Sequence, residues 1–467
     1  MVHQYKLNGF NIVLDSNSGC IHAVDEVAYD MIAMYESTPH DEIREHIHKK
    51  HPDISDSDID EVFDDIKELK DSRQLFTDDI FAGSAPLFKK RQSVVKAICL
   101  HVAHACNMKC GYCFAGDGEY HGERAIMSYE TGRKALDWLI ANSGDRRNLE
   151  VDFFGGEPLL NWEVCKQLVE YGRSREKETG KNFRFTLTTN GILLDDEVIE
   201  FCGREMSNVV ISLDGRPEVN DNMRLTHDDN GTYDRILPMF KKLAEARNQE
   251  NYYVRGTYTH YNTDFASDVI HMADLGFKEL SIEPVVAPPD APYALQESDI
   301  PKLLSEYERL AAEMLQRRRR GDGSDFNFYH YMIDLEGGPC IVKRISGCGV
   351  GTEYVAVTPS GDLYPCHQFV GDDKFLLGNV DDGITNTDVC DEFKGCNVYS
   401  HEECTDCFAK LYCSGGCAAN AYHTTGSITG VYDLGCTLHK KRIECALMLK
   451  VADMLESQPE DQDDSPL

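Results

Sequence analysis

The sequence has no long apolar run, and it is poor in basic residues. None of its apolar stretches approaches the roughly 20 residues that a membrane-spanning helix needs, which predicts no membrane partner. Residues 1–14 are of mixed polarity and lack the apolar segment of a signal peptide, which predicts a cytoplasmic protein. Lys and Arg number 47 against 80 Asp and Glu, and the formal charge of −33 would repel a phosphate backbone. We therefore expect no nucleic-acid partner.

Cysteine, by contrast, is abundant. The 467 residues include 18 cysteines, far more than packing requires. In a chain without a predicted signal peptide, this number indicates metal ligation in a reducing cytoplasm rather than disulfide bonds.

Changes of pattern divide the chain into predicted parts. These are a small module (1–80), a linker (81–93), a region of alternating strands and helices (94–330), a cysteine-rich region (331–450) and an acidic, solvated tail (451–467). In the first module, residues 5–14 and 20–24 are predicted strands joined by a turn. Beyond Gly337 the apolar surface is too small for an ordinary core, so we expect metal clusters to hold that region together.

The region 94–330 predicts an α/β fold. Its predicted strands are 94–102, 149–154, 183–188, 208–213, 252–259 and 279–285. Helical segments lie between them, for example 128–142, which Ser128 is expected to cap. Six βα units predict a parallel sheet shaped as a partial TIM-like (β/α)6 barrel, open on one side, with its site at the carboxyl ends of the strands.

Three thiols follow the first of these strands at C-x3-C-x2-C spacing. The sequence CNMKCGYC places them at Cys106, Cys110 and Cys113. Each iron of a four-iron cluster takes a terminal ligand, so three thiolates leave one iron free to bind a small molecule. A structural zinc site, with His101 or His104 as the fourth ligand, is the alternative, and three buried thiols are another.

This spacing, with the aromatic Tyr112 before the last cysteine, resembles that of the radical S-adenosylmethionine (SAM) enzymes. In that family the open iron of a 4Fe–4S cluster chelates the amino and carboxylate groups of SAM. The resemblance implies that the three cysteines form the catalytic centre and that Tyr112 lies beside the cofactor.

Candidate SAM contacts come directly after later strands, where a barrel binds its ligands. Gly155 and Gly156 begin a GGEP turn and would let the backbone approach a ligand, while Glu157 could receive the SAM ammonium group. GGEP alone is a common turn, but here it ends a predicted strand. Asn190, in a TTNG turn, is predicted to face the cavity.

The fourth and sixth predicted strands add polar side chains. Ser212 and Asp214 suit the ribose hydroxyls of SAM. Arg224 or Arg235 could pair with the SAM carboxylate, although either could equally form a surface ion pair. Glu283 is a further predicted cavity carboxylate.

Seven cysteines beyond residue 336 follow one ordered layout. An isolated C-x2-C pair would more often bind zinc, but the whole set resembles the SPASM domain, the twin-cluster appendage of radical SAM enzymes that modify peptides. The resemblance implies that the ligands of a distal auxiliary 4Fe–4S cluster are Cys404, Cys407, Cys413 and Cys436. It implies that the ligands of a proximal cluster are Cys348, Cys366 and Cys417.

With the SAM-binding cluster, the chain would hold three 4Fe–4S clusters. The proximal cluster lacks a fourth cysteine in this layout, so one of its irons is expected to be open unless Cys340 completes it. Cys390, Cys396 and Cys445 are interpreted as packing thiols.

Across nearly its whole length the chain resembles the radical SAM/SPASM maturases of ribosomally made peptides, above all the thioether-forming maturases of SCIFF (six cysteines in forty-five) peptides. The resemblance rests on GFNIVLDSNSG, CNMKCGYCFAGDGEY, GGPC at 337–340 and SGCGVGTEYVAVTPSGDLYPCHQF. It implies an N-terminal winged-helix-like module that captures the leader of a cysteine-rich precursor peptide, commonly by strand addition. A dimerisation or packing module is the alternative. An electron donor such as flavodoxin or ferredoxin is also implied.

The implied reaction joins a cysteine sulfur to a carbon of an acceptor residue after a 5′-deoxyadenosyl radical has removed hydrogen from that carbon. An anaerobic sulfatase maturase, which makes formylglycine, is a second possibility. That family has an aspartate base directly after the second SPASM cysteine, where this chain has His367. A non-catalytic iron–sulfur or zinc scaffold would explain the cysteines but not the turns at successive strand ends.

Overall fold

The computed structural model describes residues 1–88, 93–120, 122–335 and 340–457. Its N-terminal part is a three-stranded antiparallel sheet followed by three helices. These elements are β1 (Val2–Leu7), β2 (Phe10–Asp15), β3 (Ile21–Val24), α1 (Glu26–Met34), α2 (His40–Lys50) and α3 (Asp56–Asp71). Buried side chains including Ile43, Ile47 and Ile66 pack between sheet and helices. The winged-helix-like assignment stays a prediction.

The predicted strand 5–14 is wrong, because a turn divides it. β1 and β2 pair antiparallel on either side of Asn8 and Gly9, whose φ angles are 48° and 85°. Both values lie in the left-handed region that a two-residue hairpin turn requires, and Asn-Gly is the usual sequence for it. The one predicted hairpin is confirmed, since β2 pairs antiparallel with β3.

The central part alternates strands and helices. Its elements are α4 (Ala85–Phe88), β4 (Ala97–His104), β5 (Met108–Cys110), β6 (Ala125–Ile126), α5 (Tyr129–Asn142), β7 (Asn148–Gly155), α6 (Trp162–Thr179), β8 (Asn182–Thr189), α7 (Asp196–Glu205), β9 (Met206–Ser212), α8 (Pro217–Met223), β10 (Arg224–Thr226), α9 (Tyr233–Ala246), β11 (Tyr252–Tyr258), α10 (Ala266–Asp274), β12 (Glu279–Pro284), α11 (Ile300–Arg320) and β13 (Asn327–Phe328). Ser128 caps α5 through the backbone N–H of Thr131, as predicted.

Six of these strands, β4, β7, β8, β9, β11 and β12, pair in chain order and in parallel. All six predicted strands are therefore found, and the α/β class is confirmed. Their carboxyl ends meet at one edge of the sheet, where parallel sheets bind ligands. The strand order is the one that a partial (β/α)6 barrel requires, while the barrel shape itself stays a prediction.

The cysteine-rich part is more regular than the sequence predicted. Its elements are α12 (Ile341–Ser346), β14 (Tyr354–Val357), β15 (Asp362–Tyr364), β16 (Gly378–Asn379), β17 (Gly383–Ile384), α13 (Thr387–Gly395), α14 (Lys410–Cys413), α15 (Ala418–Thr425) and α16 (Asp433–Ser457). β14 extends the main sheet by pairing in parallel with β4. Phe369, Phe375 and Phe393 form an apolar core there, so the expectation that this part has too little apolar surface for a core is wrong. The expected clusters stay a prediction.

Three sequence predictions fall partly outside the described residues. Residues 89–92 of the linker, 337–339 of the GGPC motif and 458–467 of the acidic tail are not among them. Residues 451–457, which the sequence assigned to the tail, belong to α16. Among the described helices, none combines the length and the apolar character that crossing a bilayer demands.

Candidate active site

A cavity of about 860 Å³ lies at the carboxyl ends of the central strands and reaches the cysteine-rich part. Most of the predicted site residues line it. These are Cys106, Cys110, Tyr112, Cys113, Gly155, Gly156, Glu157, Asn190, Ser212, Arg224, Glu283, Cys348, Cys413, Cys417 and Cys436. The predicted residues that do not line it are Asp214, Cys366, Cys404 and Cys407.

The cysteine triad is held by a small antiparallel ribbon. β5, which ends at Cys110, pairs with β10, and the backbone N–H of Gly111 donates to the carbonyl of Met223 over 2.8 Å. Burial raises the pKa of the Cys106 thiol to about 12 and that of the Cys110 thiol to about 11, whereas the charge of Arg224 opposes the shift at Cys110. Cluster binding would deprotonate these thiols.

The donor set fits a site-differentiated 4Fe–4S cluster. Cys106, Cys110 and Cys113 are free thiols that face one cavity, which is the ligand number that leaves one iron open. Beside them, Arg224 Nε is buried and has no hydrogen-bond partner among the described residues. A buried unpaired donor of this kind suits an anionic ligand group.

His101 and His104, the alternative zinc ligands, pair with each other instead. Nδ1 of His101 lies 3.1 Å from Nε2 of His104, and both rings pack on Tyr120 with centroids 4.5 Å and 4.8 Å away. Neither imidazole is part of the cavity lining. This arrangement does not favour a zinc site completed by histidine.

Gly155 and Gly156 are required by the chain itself. A Cβ at Gly155 would lie 2.3 Å from the carbonyl oxygen of Ala103, and one at Gly156 would lie 2.1 Å from that of Ala105. Both oxygens belong to the segment that leads into Cys106. The two glycines therefore allow β7 to end against the cysteine loop, a role that the sequence prediction of a close ligand approach did not include.

Glu157 connects two strand ends. It is fully buried and accepts hydrogen bonds from Leu159 N at 3.0 Å, Thr189 Oγ1 at 2.7 Å and Asn190 N at 2.8 Å. Burial raises the pKa of this carboxyl group. Asn190 in turn donates through Nδ2 to Asn107 Oδ1 over 2.8 Å, next to the first cysteine of the triad. The GGEP and TTNG turns are thus one hydrogen-bonded unit.

Tyr112, Asp214 and Arg224 form a second unit. The Tyr112 hydroxyl donates to Asp214 Oδ2 over 2.7 Å and accepts from Arg224 Nη1 over 2.8 Å. Asp214 also accepts from Thr257 N over 3.0 Å and is only 1% exposed. In this arrangement Asp214 fixes Tyr112 and Arg224 and does not face the cavity, in contrast to its predicted ribose contact, whereas Ser212 does face it.

Within each predicted group of C-terminal cysteines, some thiols influence one another's pKa. After burial, the charges of Cys436, Cys404 and Cys407 raise the pKa of the Cys413 thiol. In the same way, burial is the largest cause that raises the pKa of the Cys366 thiol, and the charges of Cys417 and Cys348 raise it further. Thiols that influence one another in this way are close in space. Cluster ligation by each group stays a prediction.

Cys396 is a thiol that sequence reasoning missed. Besides burial, the charges of Cys348 and Cys417 raise its pKa to about 12, and its Sγ donates to the carbonyl of Ile428 over 3.2 Å. Cys396 therefore lies near Cys348 and Cys417, two of the predicted proximal ligands. Cys340, the fourth ligand considered from the sequence, is exposed.

The C-terminal helix supplies cavity residues that the sequence analysis did not identify. His439 and Arg442 of α16 line the cavity together with Arg255 of β11. The spacing of His439 and Arg442 after Cys436, one helical turn apart each, was the available signal.

Comparison with known proteins agrees with this architecture. Residues 100–275 match the radical SAM superfamily, and residues 348–408 match the SPASM iron–sulfur cluster-binding domain. The chain is 21% identical over 378 residues to the radical SAM cyclopropyl synthase TigE of Paramaledivibacter caminithermalis. The matched region covers 74% of this chain and 72% of TigE. It is 26% identical over 335 residues to the cysteine-type anaerobic sulfatase-maturating enzyme of Clostridium perfringens, covering 67% and 85% respectively.

Solved structures show the same fold. The anaerobic sulfatase-maturating enzyme anSMEcpe with bound AdoMet and Cp18Cys peptide superposes with a TM-score of 0.63 at 21% identity, over 77% of this chain and 99% of that one. Streptococcus suis SuiB bound to S-adenosylmethionine superposes with a TM-score of 0.52 at 16% identity, over 92% and 97%. The chain therefore contains a radical SAM domain within residues 100–275 and a SPASM iron–sulfur cluster-binding domain within residues 348–408.

Proposed function

We propose that this protein uses SAM and three 4Fe–4S clusters to form intramolecular thioether crosslinks, from cysteine sulfur to carbon, in a cysteine-rich precursor peptide. One observation carries the proposal. The same cavity is lined by the cysteine triad and by thiols of both C-terminal groups, among them Cys417 and Cys436. A volume of about 860 Å³ lies in the upper range of small-molecule sites, which leaves room for a peptide side chain beside SAM.

The protein's own residues would bind and orient the reactants. Cys106, Cys110 and Cys113 would hold the SAM-binding cluster, with Arg224 and Asn190 among the groups that contact SAM. When bound, the cluster and SAM together supply a 5′-deoxyadenosyl radical that removes hydrogen from carbon. Buried lining residues such as Glu157 and Arg224 would limit the access of water to this radical chemistry.

Known relatives support a peptide substrate. SuiB has been crystallised bound to its precursor peptide SuiA, and anSMEcpe with the Cp18Cys peptide. SuiB matches 92% of this chain, including its N-terminal part. An external electron donor such as flavodoxin or ferredoxin would complete the system.

The N-terminal sheet offers one edge to a leader peptide. β1 faces α16, since the Tyr5 hydroxyl donates to the carbonyl of Glu444 over 2.9 Å and His3 lies 3.0 Å from the Glu444 carboxylate. β3 pairs with β2 alone among the described strands. A leader could therefore add as a further strand along β3, with main-chain hydrogen bonds supplying affinity.

A formylglycine-generating activity is the second candidate, because the sulfatase-maturating relative is 26% identical. At the position of that family's aspartate, His367 lies between Phe114 and Phe154, with ring centroids 5.6 Å and 5.1 Å away. Burial lowers the pKa of His367 to about 4, so this imidazole is neutral. The different side chain at this position favours the crosslinking activity.

Mass spectrometry of a cysteine-rich precursor, after anaerobic incubation with reconstituted enzyme, SAM and reductant, tests the proposal. A thioether removes two hydrogens per crosslink, and the cysteines involved can no longer be alkylated. A cysteine peptide from a sulfatase, incubated in parallel, would lose its sulfur if the second candidate were correct. SAM cleavage without change in either peptide would refute both substrates, and absence of SAM cleavage would favour a non-catalytic scaffold.

A further inference from the structure

One part of the cavity wall is not used by the predicted SAM contacts. It is formed by Arg255 on β11, Glu283 on β12, and His439 and Arg442 on α16, all of which line the cavity. We call these four residues the α16 wall. It joins the last strands of the radical SAM domain to the helix that carries Cys436.

Arg442 fixes this wall. Its Nε donates to the Tyr307 hydroxyl over 2.8 Å, and that hydroxyl lies 2.8 Å from the hydroxyl of Tyr258. Its Nη1 and Nη2 each lie 3.3 Å from Glu283 Oε2. Burial opposes ionisation of Glu283, but the neighbouring His330 and the charges of Arg442 and Arg255 lower its pKa to about 2. Arg442 and Glu283 thus neutralise each other and hold α16 in a fixed position.

His439 presents an unused hydrogen-bonding atom. Its Nε2 is buried and has no partner among the described residues. Burial, and then the charge of Arg442, lower the pKa of His439 to about 4, so the ring is neutral. A neutral imidazole nitrogen is either a donor or an acceptor, depending on the tautomer. Leaving such an atom unpaired is costly, and a bound partner would remove that cost.

Arg255 adds a second group. It is exposed within the cavity, and no hydrogen bond or ion pair ties it to another described side chain. Its charge lowers the pKa of Glu283 and that of His367, but Arg255 forms no hydrogen bond or ion pair with either residue. The guanidinium is therefore available to donate hydrogen bonds to a ligand.

The wall adjoins both C-terminal thiol groups. The charge of Glu283 affects the pKa of Cys417, a predicted proximal ligand. His439 follows Cys436, a predicted distal ligand, by one helical turn. A ligand on the wall would therefore lie beside the auxiliary clusters and in the same cavity as SAM.

We infer that the α16 wall binds the backbone of the substrate peptide next to its reacting residue, with His439 Nε2 and the Arg255 guanidinium as the two contact groups. This inference rests on the proposed peptide substrate. A peptide group offers both an N–H and a C=O, so it can pair with either tautomer of His439, and its carbonyl can accept from Arg255. Backbone recognition is independent of side-chain identity, which suits a precursor in which several residues are modified.

Substitution of His439 tests this inference. His439→Leu removes the nitrogen with a side chain of high helix propensity, and His439→Gln keeps a hydrogen-bonding amide at the same position. The reconstituted full-length variants are titrated without reductant with a labelled core peptide that lacks its leader, so that binding at β3 does not hide the effect. Iron content and visible absorption are measured on each variant to establish that clusters and fold are retained.

We expect His439→Leu to weaken core-peptide binding about tenfold, the loss of one hydrogen bond, and His439→Gln to restore most of it. With reductant, His439→Leu should also form more 5′-deoxyadenosine per modified peptide, because the radical formed from SAM would react less often with a loosely bound peptide. Equal affinity and equal coupling in wild type and His439→Leu would overturn the inference while the proposed function stands. If wild type binds and modifies no cysteine-rich peptide, the proposed function fails and the inference fails with it.

Discussion

Arg224 lies directly opposite Cys110 in the antiparallel pair that β10 forms with β5. This register places a guanidinium beside the cysteine loop although Arg224 lies 114 positions after Cys110 in the sequence. The charge of Arg224 lowers the pKa of Cys110 against the effect of burial, and its Nε is buried without a partner. The ribbon thus places Cys110, a predicted cluster ligand, next to Arg224, a predicted contact of an anionic group.

Substitution of Arg224 should weaken SAM binding more than substitution of Arg235. Arg235 is exposed, contacts the carbonyl of Ile192 at 3.5 Å and does not line the cavity. We expect Arg224→Gln to reduce SAM affinity about tenfold to hundredfold, the effect of losing a charge-assisted hydrogen bond. Equilibrium binding to the reconstituted enzyme measures this. If Arg235→Gln lost a comparable amount of SAM affinity, Arg224 would not be the specific partner of the SAM carboxylate.

Removal of the cysteine triad should abolish SAM cleavage. With Cys106, Cys110 and Cys113 all changed to Ala, the protein should retain about eight of about twelve irons, because only one four-iron cluster is lost. Iron analysis and chromatography of 5′-deoxyadenosine check both expectations. Cleavage of SAM by this variant would exclude the triad as the catalytic centre.

Cys348→Ala should separate SAM cleavage from crosslinking. Cys348 lines the cavity as a predicted proximal ligand and is not part of the triad, so under the proposed function its loss should spare abortive SAM cleavage but stop thioether formation. Cys390→Ala, in which a buried thiol of the apolar core is truncated, is the matched control and should still crosslink. Normal crosslinking by Cys348→Ala would mean that the proximal cluster is not obligatory.

The sequence allowed the six parallel strands to be predicted because each is a short apolar run with a turn directly after it. The cysteine triad and the GGEP turn were equally visible, since their chemistry is local in sequence. The pairing of β14 with β4 could not be predicted from the sequence. It joins Tyr354–Val357 to a strand more than 200 residues earlier and depends on tertiary packing.

Other features depended on details that patterns do not encode. The spacing of Gly155 and Gly156 suggested a ligand contact, but the atoms that require glycine belong to Ala103 and Ala105. Arg442 reaches Glu283 across 159 residues of sequence, so its role could not be read from α16 alone. The Asn8-Gly9 turn, by contrast, was readable from the sequence and was missed.

Buried neutral histidines should make stability depend on pH. Burial lowers the pKa of His330 to about 3, and Arg442 Nη1 lies 3.3 Å from its Nδ1. The unfolded chain has the ordinary value of about 6.5, so the unfolded state binds more protons as the pH falls below it. The stabilisation is therefore fully present above about pH 6.5 and is lost towards about pH 3, at up to about 1.4 kcal/mol per pH unit.

His330→Gln should reduce this slope. Chemical unfolding of the reconstituted protein between about pH 7.5 and about pH 5.5 measures it, and His46→Gln, at an exposed position of α2, is the control. His104, His367 and His439 shift in the same direction, so part of the slope should remain. An unchanged slope in His330→Gln would contradict the assignment of a buried, neutral imidazole.

Cys396 is better placed than Cys340 to affect the proximal cluster. Its thiol responds to the charges of Cys348 and Cys417, whereas Cys340 is exposed. We expect Cys396→Ser to change the electron paramagnetic resonance spectrum of the reduced proximal cluster. Cys340→Ser is the control, and its spectrum should be the same as that of wild type.

The two possible outcomes for Cys396→Ser lead to different conclusions. If Cys396→Ser has the wild-type spectrum and iron content, Cys396 is no ligand. The fourth iron of the proximal cluster is then open to a cysteine thiol of the substrate, and the metal would lower the pKa of that thiol. If the spectrum changes, a substrate cysteine must displace Cys396 to reach that iron, and adding precursor peptide to wild type should then produce a spectral change of its own.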